Sequence, residues 1–173
     1  MKGKPHVKRG YPAGWYLYAG LITVSSLLVA TGHHRAVYSL LRASGIPSMG
    51  ISILAGLLNL SWYEIAYAVG GGLKMVGVYN ALPILGCATG LLSGGLILTG
   101  LRLRRPVLLV HLSVSLVLSS LALVVLVWRL VRGMGDPWRI TTTLVFLAAT
   151  CAWAFYFRRT RGTFRVSSRG GGD

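Results

Sequence analysis

The run from 107 to 128 constrains this chain more than any other feature, because it reads VLLVHLSVSLVLSSLALVVLVW without a single Asp, Glu, Lys or Arg. A helix of about 20 mostly apolar residues crosses a hydrocarbon core of roughly 30 Å and satisfies its backbone hydrogen bonds within itself. Two further runs, 13–31 and 138–157, read the same way. The run 78–101 also qualifies, although Pro83 and several glycines interrupt it. Such residues are tolerated in lipid when neighbouring helices take up the freed backbone groups. The expected fold is therefore all-α: a polytopic transmembrane helical bundle with about four spans.

Composition supports this. Only 12% of the 173 residues are charged, where a soluble domain carries roughly a quarter to keep a wet shell around its core. Formal net charge is +15, which in a soluble protein would suggest nucleic acid. Here the basic residues flank the apolar runs, where the positive-inside rule accounts for them, so a nucleic-acid partner is not expected. One bundle over 1–166 and a disordered, glycine-rich tail over 167–173 complete the division of the chain.

The stretch 50–72 is the difficult part. It is apolar, yet Asn59, Glu64 and Gly70-Gly71-Gly72 weaken it as a span. It is expected to lie in the interface or to re-enter between the first and second spans. Charge distribution separates these readings from a fifth crossing. With four spans and a cytoplasmic N-terminus, twelve of the eighteen Lys and Arg residues fall inside: Lys2, Lys4, Lys8 and Arg9, then Arg102, Arg104 and Arg105, then Arg158, Arg159, Arg161, Arg165 and Arg169. Arg35, Arg42, Lys74, Arg129, Arg132 and Arg139 fall outside. An added crossing near Glu64 would export the Arg102–Arg105 turn, so both termini are expected inside. A cleaved signal peptide is the other reading of the basic N-terminus. Ala30-Thr31-Gly32-His33 is a poor cleavage site, however, and Trp15, Tyr16 and Tyr18 suit an interfacial anchor.

Gly86, Gly90 and Gly94 form two overlapping G-x-x-x-G units. Residues four apart share a helix face, so the three make a groove into which another backbone can pack closely. The occupant is expected to be a helix of the same chain; a homodimer or a partner subunit is the alternative. Ser115/Ser119 and Ala148/Ala152 are weaker small-residue faces.

Chemistry is harder to find. His111 lies about one turn into the third run, while His33 and His34 follow the first. At 1.5 Å per residue these stand on the order of 20 Å apart in depth, which excludes a shared haem or metal. His111 is expected to bond a neighbouring helix and His33-His34-Arg35 to meet headgroups. Glu64 is the acid nearest an apolar run, and a carboxylate at membrane depth is a functional suspect. Its neighbours Trp62, Tyr63 and Tyr67 suggest an interfacial helix, with Glu64 reaching water or pairing with Arg35, Arg42 or Lys74. A proton or ligand site at Glu64 and His111 is the sharper alternative. Asp136-Pro137 reads as a helix start. Cys87 and Cys151 sit in apolar runs and read as small hydrophobes, with no metal set. No serine has the histidine and carboxylate partners of a nucleophile, and no cofactor is expected.

Gly14-Trp15-Tyr16-Leu17 and the stretch Tyr156-Phe157-Arg158-Arg159-Thr160-Arg161-Gly162-Thr163-Phe164 resemble the two ends of a group of small bacterial four-span membrane proteins of uncharacterised function. The basic turn before Pro106 fits the same group, and Tyr63-Glu64 resembles the aromatic–Glu pair it carries before its second span. The glycine-rich insertion after Glu64 departs from it. The resemblance implies a multi-pass protein of the bacterial inner membrane and says nothing of an activity. From the lack of a catalytic set and from the glycine groove, the function is expected to be non-enzymatic: an accessory, scaffold or assembly subunit of a larger membrane complex, its surroundings a bilayer with anionic headgroups at the cytoplasmic face. A small transporter or membrane sensor using Glu64 and the outer segment is the alternative, and a lipid-acting membrane enzyme the third reading.

Overall fold

The computed structural model describes residues 12–72, 76–100 and 104–160. They form seven helices: α1 (Ala13–Ala30), α2 (His34–Ala43), α3 (Ser48–Leu57), α4 (Trp62–Gly72), α5 (Val76–Leu98), α6 (Arg104–Val131) and α7 (Pro137–Thr160). No strand occurs among the described residues. Four helices are long and apolar enough to cross a membrane: α1, α5 from Asn80 onward, α6 and α7. They match the four runs read from the sequence to within a few residues. Pro83 does not break α5, which runs through it. The basic N-terminal residues, Lys74, Arg102 and the 167–173 tail lie outside the described residues.

Small residues set the central helix pair. On α5, a side chain at Gly94 would collide with Thr23 and the Ala19 carbonyl of α1, and one at Gly90 with Ser26 of the same helix. Larger numbers on α5 meet smaller numbers on α1, so the two run antiparallel. Ser93 of α5 donates to the Val107 carbonyl of α6 at 3.2 Å. At the near end of the bundle, where α1 begins, the Trp15 indole donates to the Thr160 hydroxyl at 3.2 Å, and its ring packs edge-on against Phe157 at 4.6 Å. Gly14 leaves the space that Tyr156 fills. The start of α1 and the end of α7 therefore meet at one end, and α6 leads from that end to the far one.

The segment predicted over 50–72 is two helices, not one. Ser48–Leu57 and Trp62–Gly70 meet at a bend of 98°. Asn59 makes the stop: at φ 58 it is left-handed, its N–H reaches the Gly56 carbonyl at 3.3 Å, and Leu60 N–H reaches Ala55 at 3.0 Å. These are the two bonds of a Schellman termination, which satisfies carbonyls that the helix end would orphan. The turn passes from the surface into the bundle, because Leu57 and Leu58 are exposed whereas Leu60, Ser61 and Trp62 are all fully buried. Gly56 of α3 lies against Thr142 and Val145 of α7. Trp62 crosses α5 at Gly86, near the middle of that 23-residue helix. The successive helices α4 and α5 pack against each other as a hairpin. The turn between α3 and α4 thus sits about halfway along the bundle, and both helices lead from it to the far end.

The sequence reading passed over α2. His34 is its buried residue, Val37 and Tyr38 are half-buried, and Leu40 and Arg42 are exposed. It packs lightly against α1 and α3 at the far end.

Candidate functional site

A Trp side chain at the head of α4 organises the centre. Trp62 packs on Gly86, stands edge-on to Phe146 of α7 at 5.7 Å, and lies 6.3 Å from the His111 ring of α6. The Thr89 hydroxyl and His111 Nδ1 are hydrogen-bonded at 3.0 Å, and the same hydroxyl lies 2.9 Å from the Leu85 carbonyl of its own helix. His111 bonds a neighbouring helix, as read from the sequence.

Glu64 follows Trp62 by two residues, which places it about 200° round the helix. Trp62 faces α5 and α6, whereas Glu64 faces α2. The structure therefore does not join Glu64 and His111 in one site. Nor does Glu64 reach water or pair with Arg35 or Arg42, as the sequence suggested, because it is 7% exposed and forms no ion pair among the described residues. The physical reason is the bend: α4 is packed within the bundle and not laid along its surface. Lys74 lies outside the described residues. The Tyr38 hydroxyl is hydrogen-bonded to the Glu64 carboxyl and also lies 3.4 Å from the Leu60 carbonyl, while Glu64 Oε2 has no hydrogen-bond partner.

Arg139 of α7 is the basic side chain on the Glu64 side of the bundle, and its own ion pair is with Asp136 at 3.4 Å. Its guanidinium also stacks over Tyr67, one turn beyond Glu64, at 3.7 Å, and Arg129 approaches the same ring at 5.4 Å. A cation on an aromatic face is attracted by the ring quadrupole. This layer of Tyr67 and two arginines closes α4 toward the far end.

His34 departs from its expected headgroup position. Its ring is buried and stacked on Tyr63 at 4.6 Å, and burial holds the imidazole below its ordinary range, with the Arg35 charge acting in the same direction. His33 is exposed and bonds Thr31 at 2.9 Å.

Sequence reasoning missed Asn59, Tyr38 and Arg139. Four other left-handed positions among the described residues hold glycine: Gly32, Gly45, Gly100 and Gly133. Here the same backbone job is done by an amide whose Nδ2 is buried without a partner. That residue lines a void with Ser115 and Thr150, large enough for about one water. Ser115 Oγ, Ser26 Oγ and Thr143 Oγ1 are likewise buried and unpartnered. The usable signal was an Asn where a glycine would stop the helix. Among the described residues no three His, Cys, Asp or Glu side chains gather as a metal site. Cys87 is buried, Cys151 exposed, and both are free thiols.

The glycine face is occupied by the chain's own α1 and by Trp62. A partner helix at Gly86, Gly90 and Gly94 would have to displace them. Compared with family models, curated proteins and solved structures, the chain matches none.

Proposed function

We propose that this is a small, non-enzymatic, multi-pass membrane transporter or sensor in which Glu64 binds a proton or a small cation. One observation carries the reading: a carboxyl buried inside the bundle, with one oxygen unpartnered and no ion pair among the described residues. Unpaired buried carboxyls are costly, and at membrane depth they mark ion pathways. Tyr38 of α2 adds a hydroxyl beside the carboxyl, and the unpartnered Asn59 amide lies in the turn that leads into α4. In this reading α3 and α4 form a re-entrant pair that opens to the outer face, with both termini inside a bacterial inner membrane. The basic asymmetry along the sequence supports that orientation.

The test is ion flux in vesicles loaded with a pH-sensitive dye and given a membrane potential. Wild-type protein and Asp136→Asn should both dissipate an imposed proton or cation gradient, and Glu64→Gln should not. Equal flux in Glu64→Gln and wild type would remove Glu64 from the function, and wild-type flux no greater than in empty vesicles would remove transport.

A second reading, an accessory or scaffold subunit of a membrane complex, draws on α2. Its Leu40 is a large apolar side chain left exposed and available to a partner. Gentle extraction from native membranes would recover that partner in fixed ratio, and a Leu40→Glu variant would lose it.

A further inference from the structure

At the near end, α6 begins and α7 ends side by side, and a cleft of about 250 Å³ opens between them. Its α6 wall is Leu109, Leu112 and Leu116, its α7 wall Ala154 and Phe157, and Trp15 of α1 closes the back. Arg105 and Arg158 stand at the mouth, both exposed. Arg104 is turned away, its guanidinium donating to the Gly100 carbonyl at the end of α5. The opposed dipoles of α6 and α7 offset one another here, so the two arginines set the local field. Neither described acid balances them: Glu64 is on α4, and Asp136 precedes α7 at the far end.

The stretch of α6 that lines the cleft is about as long as one leaflet of a bilayer is deep. From Arg105 to Leu116 a helix rises about 16 Å at 1.5 Å per residue, close to half of a hydrocarbon core of about 30 Å. An apolar channel of that depth, ending in two cations, fits a molecule with an acyl chain and an anionic phosphate head. Arginine suits such a head because its planar fork bonds phosphate oxygens in pairs.

We propose that this cleft is a specific site for one anionic phospholipid, its phosphate held by Arg105 and Arg158 and one acyl chain laid along Leu109, Leu112 and Leu116. The proposal rests on the membrane reading and is independent of any role for Glu64. Its occupant is distinct from bulk lipid, which would cover the apolar wall but not select for charge.

Native mass spectrometry of the full chain, released from mild detergent and titrated with phosphatidylglycerol or phosphatidylcholine, tests it. Wild type should retain one phosphatidylglycerol at collision energies that strip phosphatidylcholine. The double variant Arg105→Gln/Arg158→Gln should bind phosphatidylglycerol about tenfold more weakly, with phosphatidylcholine unchanged, consistent with the attraction of basic side chains to anionic heads. Leu109→Trp, which fills an exposed position in the cleft, should lose the retained adduct with both arginines present. Arg132→Gln at the far end serves as the charge control and should behave as wild type. Thermal melts of each variant without lipid separate a lost site from a lost fold. Equal retention of the two lipids by wild type would overturn the proposal. So would an unchanged double variant, or displacement of phosphatidylglycerol by millimolar inorganic phosphate, which would make the site one for free anions.

Discussion

Trp62 lies across α5 at Gly86, and the fit leaves no room there for even one more carbon. That contact fixes where the α3–α4 turn sits, because it pins the first residue of α4 to the middle of the longer helix. Gly86→Ala should therefore destabilise by about 1–3 kcal/mol, the usual cost of overpacking. Replacing Trp62 by Leu in the same chain should recover more than half of that loss, since the two residues are in direct contact and should couple. Thermal melts of the two single variants and the double variant measure this, and additive losses would mean that Trp62 does not occupy the groove.

Gly90 offers a contrast on the same face. A side chain there meets the Ser26 hydroxyl, a small group that can rotate, so Gly90→Ala should cost less than Gly86→Ala. Gly90→Leu would reach on toward His111 and should be as damaging as any change on this helix, because membrane helices associate through close packing. Ranking the melting temperatures as Gly90→Ala, then Gly86→Ala, then Gly90→Leu is the expected outcome.

Asn59 separates stability from function. Glycine accepts the left-handed conformation without strain, whereas alanine there costs roughly 1–2 kcal/mol. Asn59→Gly should thus melt at or above the wild-type temperature and Asn59→Ala below it. If the amide serves the ion path, Asn59→Gly should still lose flux in the vesicle assay. Full flux in Asn59→Gly would leave the residue a mere helix stop.

His34 gives the pH dependence. Its folded-state pKa is lowered by burial from an unfolded value of about 6.5. Stability from the neutral ring is present above that value and is lost as pH falls through the folded pKa, because the unfolded chain binds the proton more readily. The melting temperature should fall between pH 7.5 and pH 5 by more in wild type than in His34→Phe, which keeps the stack on Tyr63. Parallel curves for the two proteins would show that His34 takes no proton on unfolding.

The four long helices were legible because unbroken apolar runs have few other uses, and the structure ends them close to where the charges begin. The glycine face was legible too, since spacing alone puts Gly86, Gly90 and Gly94 on one side. What filled that face was not, because Trp62 arrives there only through a turn at Asn59, which reads locally as a weak spot in a span. Glu64 was flagged from its charge, yet its partners were misjudged. Sequence proximity suggested Arg35 and Arg42, whereas the bend faces it toward Tyr38, with Arg139 of α7 the basic side chain on its side of the bundle. α2 was overlooked because ten residues with two arginines give too short an apolar face to stand out.

Glu64 can serve an ion path from the outer face only if α3 and α4 enter and leave at one end of the bundle. Single cysteines in a Cys87→Ala/Cys151→Ala background, labelled by an impermeant maleimide on intact cells and on inverted vesicles, test this most directly. Ser44→Cys before α3 and Gly133→Cys between α6 and α7 should label from the outside, Thr160→Cys only from the inside, and Asn59→Cys from neither side at a comparable rate. Labelling of Ser44→Cys and Gly133→Cys from opposite sides would make α3–α4 a crossing and contradict the re-entrant hairpin on which the role of Glu64 is built.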